Sequence, residues 1–410
     1  MATVPCPAPQ LTCDDLLRLK PSLQAYLARF RSLFPRRDQA VSFEAYAEGL
    51  LSEERRKSVE RMVLRRLDGD MNQVRRLQYF AADSPWSDQP FLECHWQAVG
   101  AALGTREGVL LVDTTDMPKQ GVHSVGVARQ YCGRLGKIEN CQAGVFVAYA
   151  GRGGATLVHR RLFLTEAWTG DAAYAARRRR CGVPEAATAF RTQPQLALAL
   201  LTELVADGSL PARWVVCDEG YGRSVDFLDG VAALGLGYMA EVPTDTRLWR
   251  ERPPTVVPRT RPRLAPGAPA SLEARTLAAQ LPAEAWTRRR IREGSRGPEY
   301  ADFAIRRGVA SRGGLPGPDV WLVLRRPPGA DRARVFLCHA PRRVQPARLA
   351  RLTGTRWAIE TCFQEGKQLL GLGDYEGRSW QGWHRHMTLC LLLHFFLLQG
   401  KLALKKNGPA

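Results

Sequence analysis

The sequence predicts an α/β protein: one mixed sheet with helices on both faces, a helical N-terminal domain and a β-rich insertion subdomain. Three observations carry this reading. Apolar residues recur at intervals of three and four through the first hundred positions. From Gly108 the texture changes to short apolar runs, the first two of them separated by a polar stretch. After about Thr244 a proline-rich stretch leads into runs with period-two alternation.

The N-terminal helices are read from LLRLKPSLQAYLARFRSLF, RKSVERMVLRRL and NQVRRLQYFAA, whose polar faces are basic. Asp83 and Ser84 break the pattern before Pro85 and Trp86, and a further helix runs from about Phe91 to Leu103, giving a domain over residues 1–104. Three consecutive strands follow: VLLVD ending at Asp113, AGVFVAYA near 143–150 and TLVHRRLFL near 156–164. A helix marked by Leu196, Leu200, Leu201 and Leu204 precedes a fourth strand, RWVVCD, ending at Asp218. GYGRSVDFLDGVAALG reads as a helix and GYMAEVP as a fifth strand, so residues 105–243 alternate as a mixed, helix-covered sheet requires.

Residues 244–341 read as the insertion. PPTVVPRTRPRLAPGAPA is too rich in proline for a helix or central strand. YADFAIRRGVA, DVWLVLRRPP and ARVFLCHAP read as antiparallel strands flanked by the charge run TRRRIREGSRG. In residues 342–410, Leu349 to Gly371 is expected as one amphipathic helix and Trp383 to Leu404 as another.

Composition narrows the function. In 410 residues, 59 Lys and Arg outweigh 40 Asp and Glu, and a net charge of +19 points to a polyanionic partner. The 45% hydrophobic content excludes disorder over most of the length. The ten cysteines contain no CxxC pair, which suggests reduced structural thiols rather than a zinc site. MATVPCPAPQLTCDDLL lacks a basic region followed by an apolar core, so a cytosolic protein is expected. The apolar segment Met387 to Leu398 is too short to span a bilayer and reads as a buried helix, so no membrane partner is expected.

Asp113 and Asp218 each close a strand, where open α/β sheets place ligands, although a single strand-end Asp more often caps a turn. A third acid, Glu360, lies in RWAIETCFQEGK, where Arg356, Glu360, Phe363 and Lys367 recur on one helical face. Taken alone, that spacing is better explained by an exposed salt-bridge ladder from Arg356 to Glu360. Three carboxylates on a basic protein fit hard divalent ions and DNA strand chemistry.

The stretch VDTTDMPKQGVHSVGVARQYCGRLGKIENCQAGVFVAYA, from Val112 to Ala150, resembles the signature region of IS701-type insertion-sequence transposases, relatives of the IS4 group with an RNase H-like DDE catalytic domain. Its Asp-x-Thr element falls on Asp113 and Thr115, followed by Pro118, Lys119 and the run from His123 to Tyr131. VVCDEGYG is similar to the second-acid region at Asp218, and RWAIETCFQEGK resembles the Arg-x3-Glu-x6-Lys signature at Arg356, Glu360 and Lys367. The chain departs from that signature at Thr353, where the IS4 group has Tyr.

The resemblance implies a DDE transposase. Asp113, Asp218 and Glu360 would hold two Mg²⁺ ions, with Mn²⁺ as an alternative. Lys119, Arg356 and Lys367 would contact DNA phosphates. The partners implied are double-stranded DNA, both transposon ends and target, and a second copy of the chain in a homodimeric DNA complex. The N-terminal helices would bind the terminal inverted repeats. The rival is a domesticated DNA-binding regulator that no longer cleaves.

Other residues rank lower. Asp116 lies just past the expected strand end. Glu365 points away from the Glu360 face, and Asp374 follows a glycine-rich turn. His123 is left without a role. The run Arg177 to Arg180 is expected on a phosphate backbone, and Trp357 in the core.

Overall fold

The computed structural model describes residues 13–407 apart from 134, 295 and 296. The expectations for residues 1–12, including the absence of a leader, and part of the charge run TRRRIREGSRG therefore lie outside the described residues. In chain order the elements begin with α1 (Cys13–Arg31), α2 (Arg37–Leu51), α3 (Val59–Arg66), α4 (Met71–Ala82) and α5 (Gln89–Leu103). Then come β1 (Val109–Pro118), β2 (Ala128–Cys132), β3 (Lys137–Ala150), β4 (Ala155–Leu162), α6 (Glu166–Gly170), α7 (Ala175–Arg180) and α8 (Gln193–Asp207). β5 (Trp214–Cys217), α9 (Glu219–Gly222), α10 (Val225–Ala233) and β6 (Gly237–Val242) follow. The short strands β7 (Arg247–Trp249), β8 (Thr255–Val256), β9 (Arg263–Leu264) and β10 (Leu272–Glu273) precede α11 (Ala274–Ala279). The chain continues through β11 (Thr287–Gly294), β12 (Gly297–Arg312), β13 (Leu315–Arg326) and β14 (Arg334–His339) to α12 (Pro346–Thr355), α13 (Trp357–Leu369) and α14 (Trp380–Asn407). The fold is mixed α/β, a large mixed sheet flanked by helices, as expected of an RNase H-like DDE transposase domain.

Two compact units share strand β1: its first four residues belong with residues 212–357, and the rest of the strand belongs with the N-terminal helices, residues 119–211 and 358–410. In the unit of the N-terminal helices, α1 to α5 surround an aromatic core. Phe34 lies 4.7 Å from Phe91, and Phe80 stacks on Trp86 at 5.0 Å. Ser58 and Asp70 cap α3 and α4. In the same unit β3 pairs with β2 through its first half and with β4 through its second. β3 is buried from Cys141 to Tyr149, the pattern of a strand covered on both faces.

Helix α14 fills the middle of this unit. By length and composition it is the one helix among the described residues long and apolar enough to cross a membrane. Every residue from 382 to 396 is buried, and the helix packs on β4, α1, α2, α4 and α5. It extends well beyond the twelve-residue apolar run. Fully buried Arg385 belongs to it because the guanidinium donates to the carbonyls of Ala81, Ser84 and Trp86 and lies 4.5 Å over the Trp86 ring. A buried charge held by several acceptors is tolerated where a bare one is not.

In the second unit the strands run β10, β7, β12, β13, β14, β6, β5 and then the first residues of β1, with β11 added on β12. β5 is parallel to β1 and β6, whereas the remaining pairs described in this unit are antiparallel. All four residues of β5 are buried, consistent with cover on both faces. α9, α10 and α12 pack on β6. Gly222 closes α9 so tightly that a Cβ there would lie 1.9 Å from the Glu241 carbonyl oxygen. Gly222→Ala is expected to lose about 2–3 kcal/mol by overpacking, read as a lower urea midpoint with unchanged slope.

Three expectations are corrected. β1 does not stop at Asp113 but runs to Pro118. What stops there is its parallel partner β5, whose last residue pairs with Val112. The charge run 287–294 is strand β11, because each Arg projects sideways while the backbone pairs with β12. Leu349 to Gly371 is two helices, α12 and α13, divided at Arg356; Gly354, a weak helix former two residues earlier, lies against Ile291.

Candidate active site

Asp113 is half-buried in β1, and its Oδ1 accepts the Thr114 backbone N–H at 2.8 Å. The Thr114 hydroxyl donates to Gln193 Oε1 at 3.1 Å at the start of α8, a helix begun by a Thr192 capping box. Thr115, buried, accepts the Lys367 ammonium at 2.6 Å, and Lys367 also donates to the Asp116 carbonyl at 3.3 Å. Lys367 thus fixes α13 against the segment of β1 that follows Asp113.

α13 buries Ile359, Cys362, Phe363 and Gly366 at helical spacing, with Phe363 edge-on to Phe146 at 5.5 Å and Cys362 Sγ donating to the Ala155 carbonyl at 3.6 Å. Glu360 and Lys367 are seven residues apart and share a stripe, so the half-buried Glu360 lies on the flank whose lysine reaches β1. Glu365 is turned elsewhere, as expected: its carboxylate meets His394 at 3.3 Å and Lys401 at 3.3 Å, contacts that hold its pKa below the ordinary value.

In the other unit, Asp218 directly follows β5 and caps α9, Oδ1 accepting the Tyr221 N–H at 3.2 Å. The β1–β5 register pairs Val112 with Cys217. Asp113 and Asp218 are the residues that come next on each strand.

The remaining predicted residues fall in varied places. Arg356 stands between α12 and α13, half-buried. Lys119 donates to the carbonyls of Gly373 at 3.3 Å and Tyr375 at 2.5 Å, and burial pulls its pKa down to about 8. Thr353 is buried, its hydroxyl donating to the Ala350 carbonyl at 2.7 Å. Asp116 accepts the Gly133 N–H at 2.7 Å, and burial raises its pKa. Asp374 accepts the Lys57 N–H at 3.0 Å.

The arginine run is split. Arg177 lies 4.7 Å over Trp168 and Arg178 donates to the Trp168 carbonyl at 2.6 Å, while Arg179 and Arg180 are exposed. Trp357 is 53% exposed with Arg292 4.4 Å over its ring, so it is not a core residue. Nothing in the sequence ties α8 to β1, so the Gln193 contact is visible only in the fold.

Among the described residues no group of three or more His, Cys, Asp and Glu side chains is gathered at metal-binding distance. The donor chemistry nevertheless suits a hard divalent cation, since Asp113, Asp218 and Glu360 all offer carboxylate oxygen.

The sequence profile of the DDE superfamily endonucleases matches residues 29–298, and the chain belongs to that family. The matched region contains Asp113 and Asp218 and ends before Glu360. Among characterised proteins, the chain is similar to a probable transposase for insertion sequence element IS701 from Microchaete diplosiphon, 29% identical over 221 residues. That match covers 53% of this chain and 52% of the relative, about half the length of each.

Proposed function

We propose that the protein is a DDE transposase that binds the terminal inverted repeats of an insertion sequence, cleaves the DNA ends and joins them to target DNA by strand transfer. The observation that supports this most is the ladder register: Val112 opposite Cys217, with an aspartate next on both strands. Asp113, Asp218 and Glu360 are the residues that would hold Mg²⁺ or Mn²⁺. Bound there, the divalent ions would activate water and stabilise the leaving oxygen of the phosphodiester.

The chain's own cations have separate tasks. Lys367 keeps Glu360's helix seated on β1 and, with Arg356, faces phosphate; charge-assisted contacts suit a centre where negative charge gathers. Lys119 holds the loop carbonyls of Gly373 and Tyr375 and is proposed as a further phosphate contact. Residues 1–104 are proposed as the end-binding domain, 105–243 and 342–410 as the catalytic domain and 244–341 as its insertion. The working assembly is a homodimer on DNA in the cytoplasm.

The test is a plasmid carrying the DNA that brackets the gene, incubated with the protein and Mg²⁺ or with EDTA. Breaks at the bracket boundaries with Mg²⁺ alone, followed by strands joined to a second plasmid, are expected. Binding without breaks under either condition would remove the cleavage assignment.

A further inference from the structure

The β2–β3 hairpin carries apolar side chains that the fold does not cover. Tyr131 is 67% exposed, Ile138 61% and Leu135, in the turn, 44%. Tyr131 and Ile138 are direct register partners, so their side chains stand together on one face. Arg129, two residues before Tyr131, is exposed on that face, whereas Lys137, the register partner of Cys132, stands on the reverse face with its ammonium 3.2 Å from Glu139. Cys132 and Cys141, on the reverse face, are fully buried. A one-residue slip would exchange the faces, so this presentation is fixed by packing.

The hairpin is also tied to the proposed catalytic strand. Gly133, in its turn, donates to Asp116 Oδ2 at 2.7 Å, and the Asp116 carbonyl accepts Lys367. Asp116 is three residues past Asp113 on β1. Its structural task is therefore to strap the hairpin turn to the strand.

We propose that this face is a DNA wedge: Tyr131 and Ile138 press against bases of the duplex beside the cleaved position, with Arg129 on a flanking phosphate. The proposal rests on the transposase reading for the identity of the ligand. Apolar side chains beside an exposed arginine suit a nucleic-acid groove, where the former unstack bases and the latter meets phosphate.

A photo-crosslinking amino acid is placed at position 131 in the full-length protein, mixed with labelled duplex carrying the bracketing DNA and irradiated. A protein–DNA adduct is expected. Y131A/I138A should lower end cleavage roughly tenfold or more while DNA affinity falls only a few-fold, since unstacking is separable from phosphate contact. R129A should reduce the log–log salt slope of binding by about one.

Adducts between two protein copies, or no adduct from a protein that still cleaves the ends, would overturn the wedge and leave the transposase reading intact. Adducts with duplex DNA from a protein that never cleaves would keep the wedge while the cleavage assignment fails.

Discussion

Asp113→Asn is expected to abolish Mg²⁺-dependent end cleavage, by roughly 10³-fold or more, while binding the same DNA within about threefold. The amide preserves the side-chain oxygen that takes the Thr114 N–H and the strand pairing around it, so the fold has little reason to change. It removes the negative charge that a hard cation requires. Asp218 provides a sharper internal control because it serves two purposes. Asp218→Ala deletes the α9 cap and should cost about 1 kcal/mol of stability as well as cleavage, whereas Asp218→Asn, itself a good cap, should lose cleavage alone. Thermal unfolding and a gel of the cleavage products separate the two effects. Cleavage at the normal rate by Asp113→Asn would take that residue out of the site.

The second large effect is acid lability. His95, His159 and His386 are buried, and desolvation lowers each to about 4; burial and Arg160 lower His384 as well. Around His384 stand Arg160, Arg161 and Asp88, and His159 meets Glu203 at 2.8 Å. With folded pKa values below the unfolded value near 6.5, these groups bind protons more readily in the unfolded chain. Stability is therefore fully present above about pH 6.5 and falls as the pH drops toward 4, each of the first three contributing up to about 3 kcal/mol of loss. Because four such groups titrate together, urea midpoints should collapse between pH 6.5 and 5. His159→Gln should flatten that slope by close to one proton. A midpoint unchanged down to pH 5 would mean that these imidazoles are protonated or hydrated in the native state.

Much of the architecture is legible in the residues. The helical texture of the first hundred positions, the buried apolar runs of β3 and β5 and the alternation of β12 to β14 all correspond to elements that bury apolar surface. What escaped notice is polar. β2 and β11 carry few buried side chains, so backbone pairing rather than hydrophobic period defines them. The true length of β1 was hidden because its second half, TTDMP, alternates weakly and is held by its neighbours rather than by its own composition. Trp357 has the size of a core residue, yet it begins α13 and stays 53% exposed beneath Arg292. Asp113 and Asp218 stand out in the sequence as acids closing apolar runs, yet β1 continues past Asp113 to Pro118. Their supports, Thr115 under Lys367 and Gln193 on Thr114, come from distant segments and only the fold brings them together.

The most direct measurement is an anomalous scattering map from crystals of the protein bound to its bracketing DNA and soaked in Mn²⁺. Peaks ligated by Asp113, Asp218 and Glu360 beside the end phosphate are the expected result. Mn²⁺ bound to some other set of side chains next to that phosphate, with these three carboxylates unligated, would contradict the account.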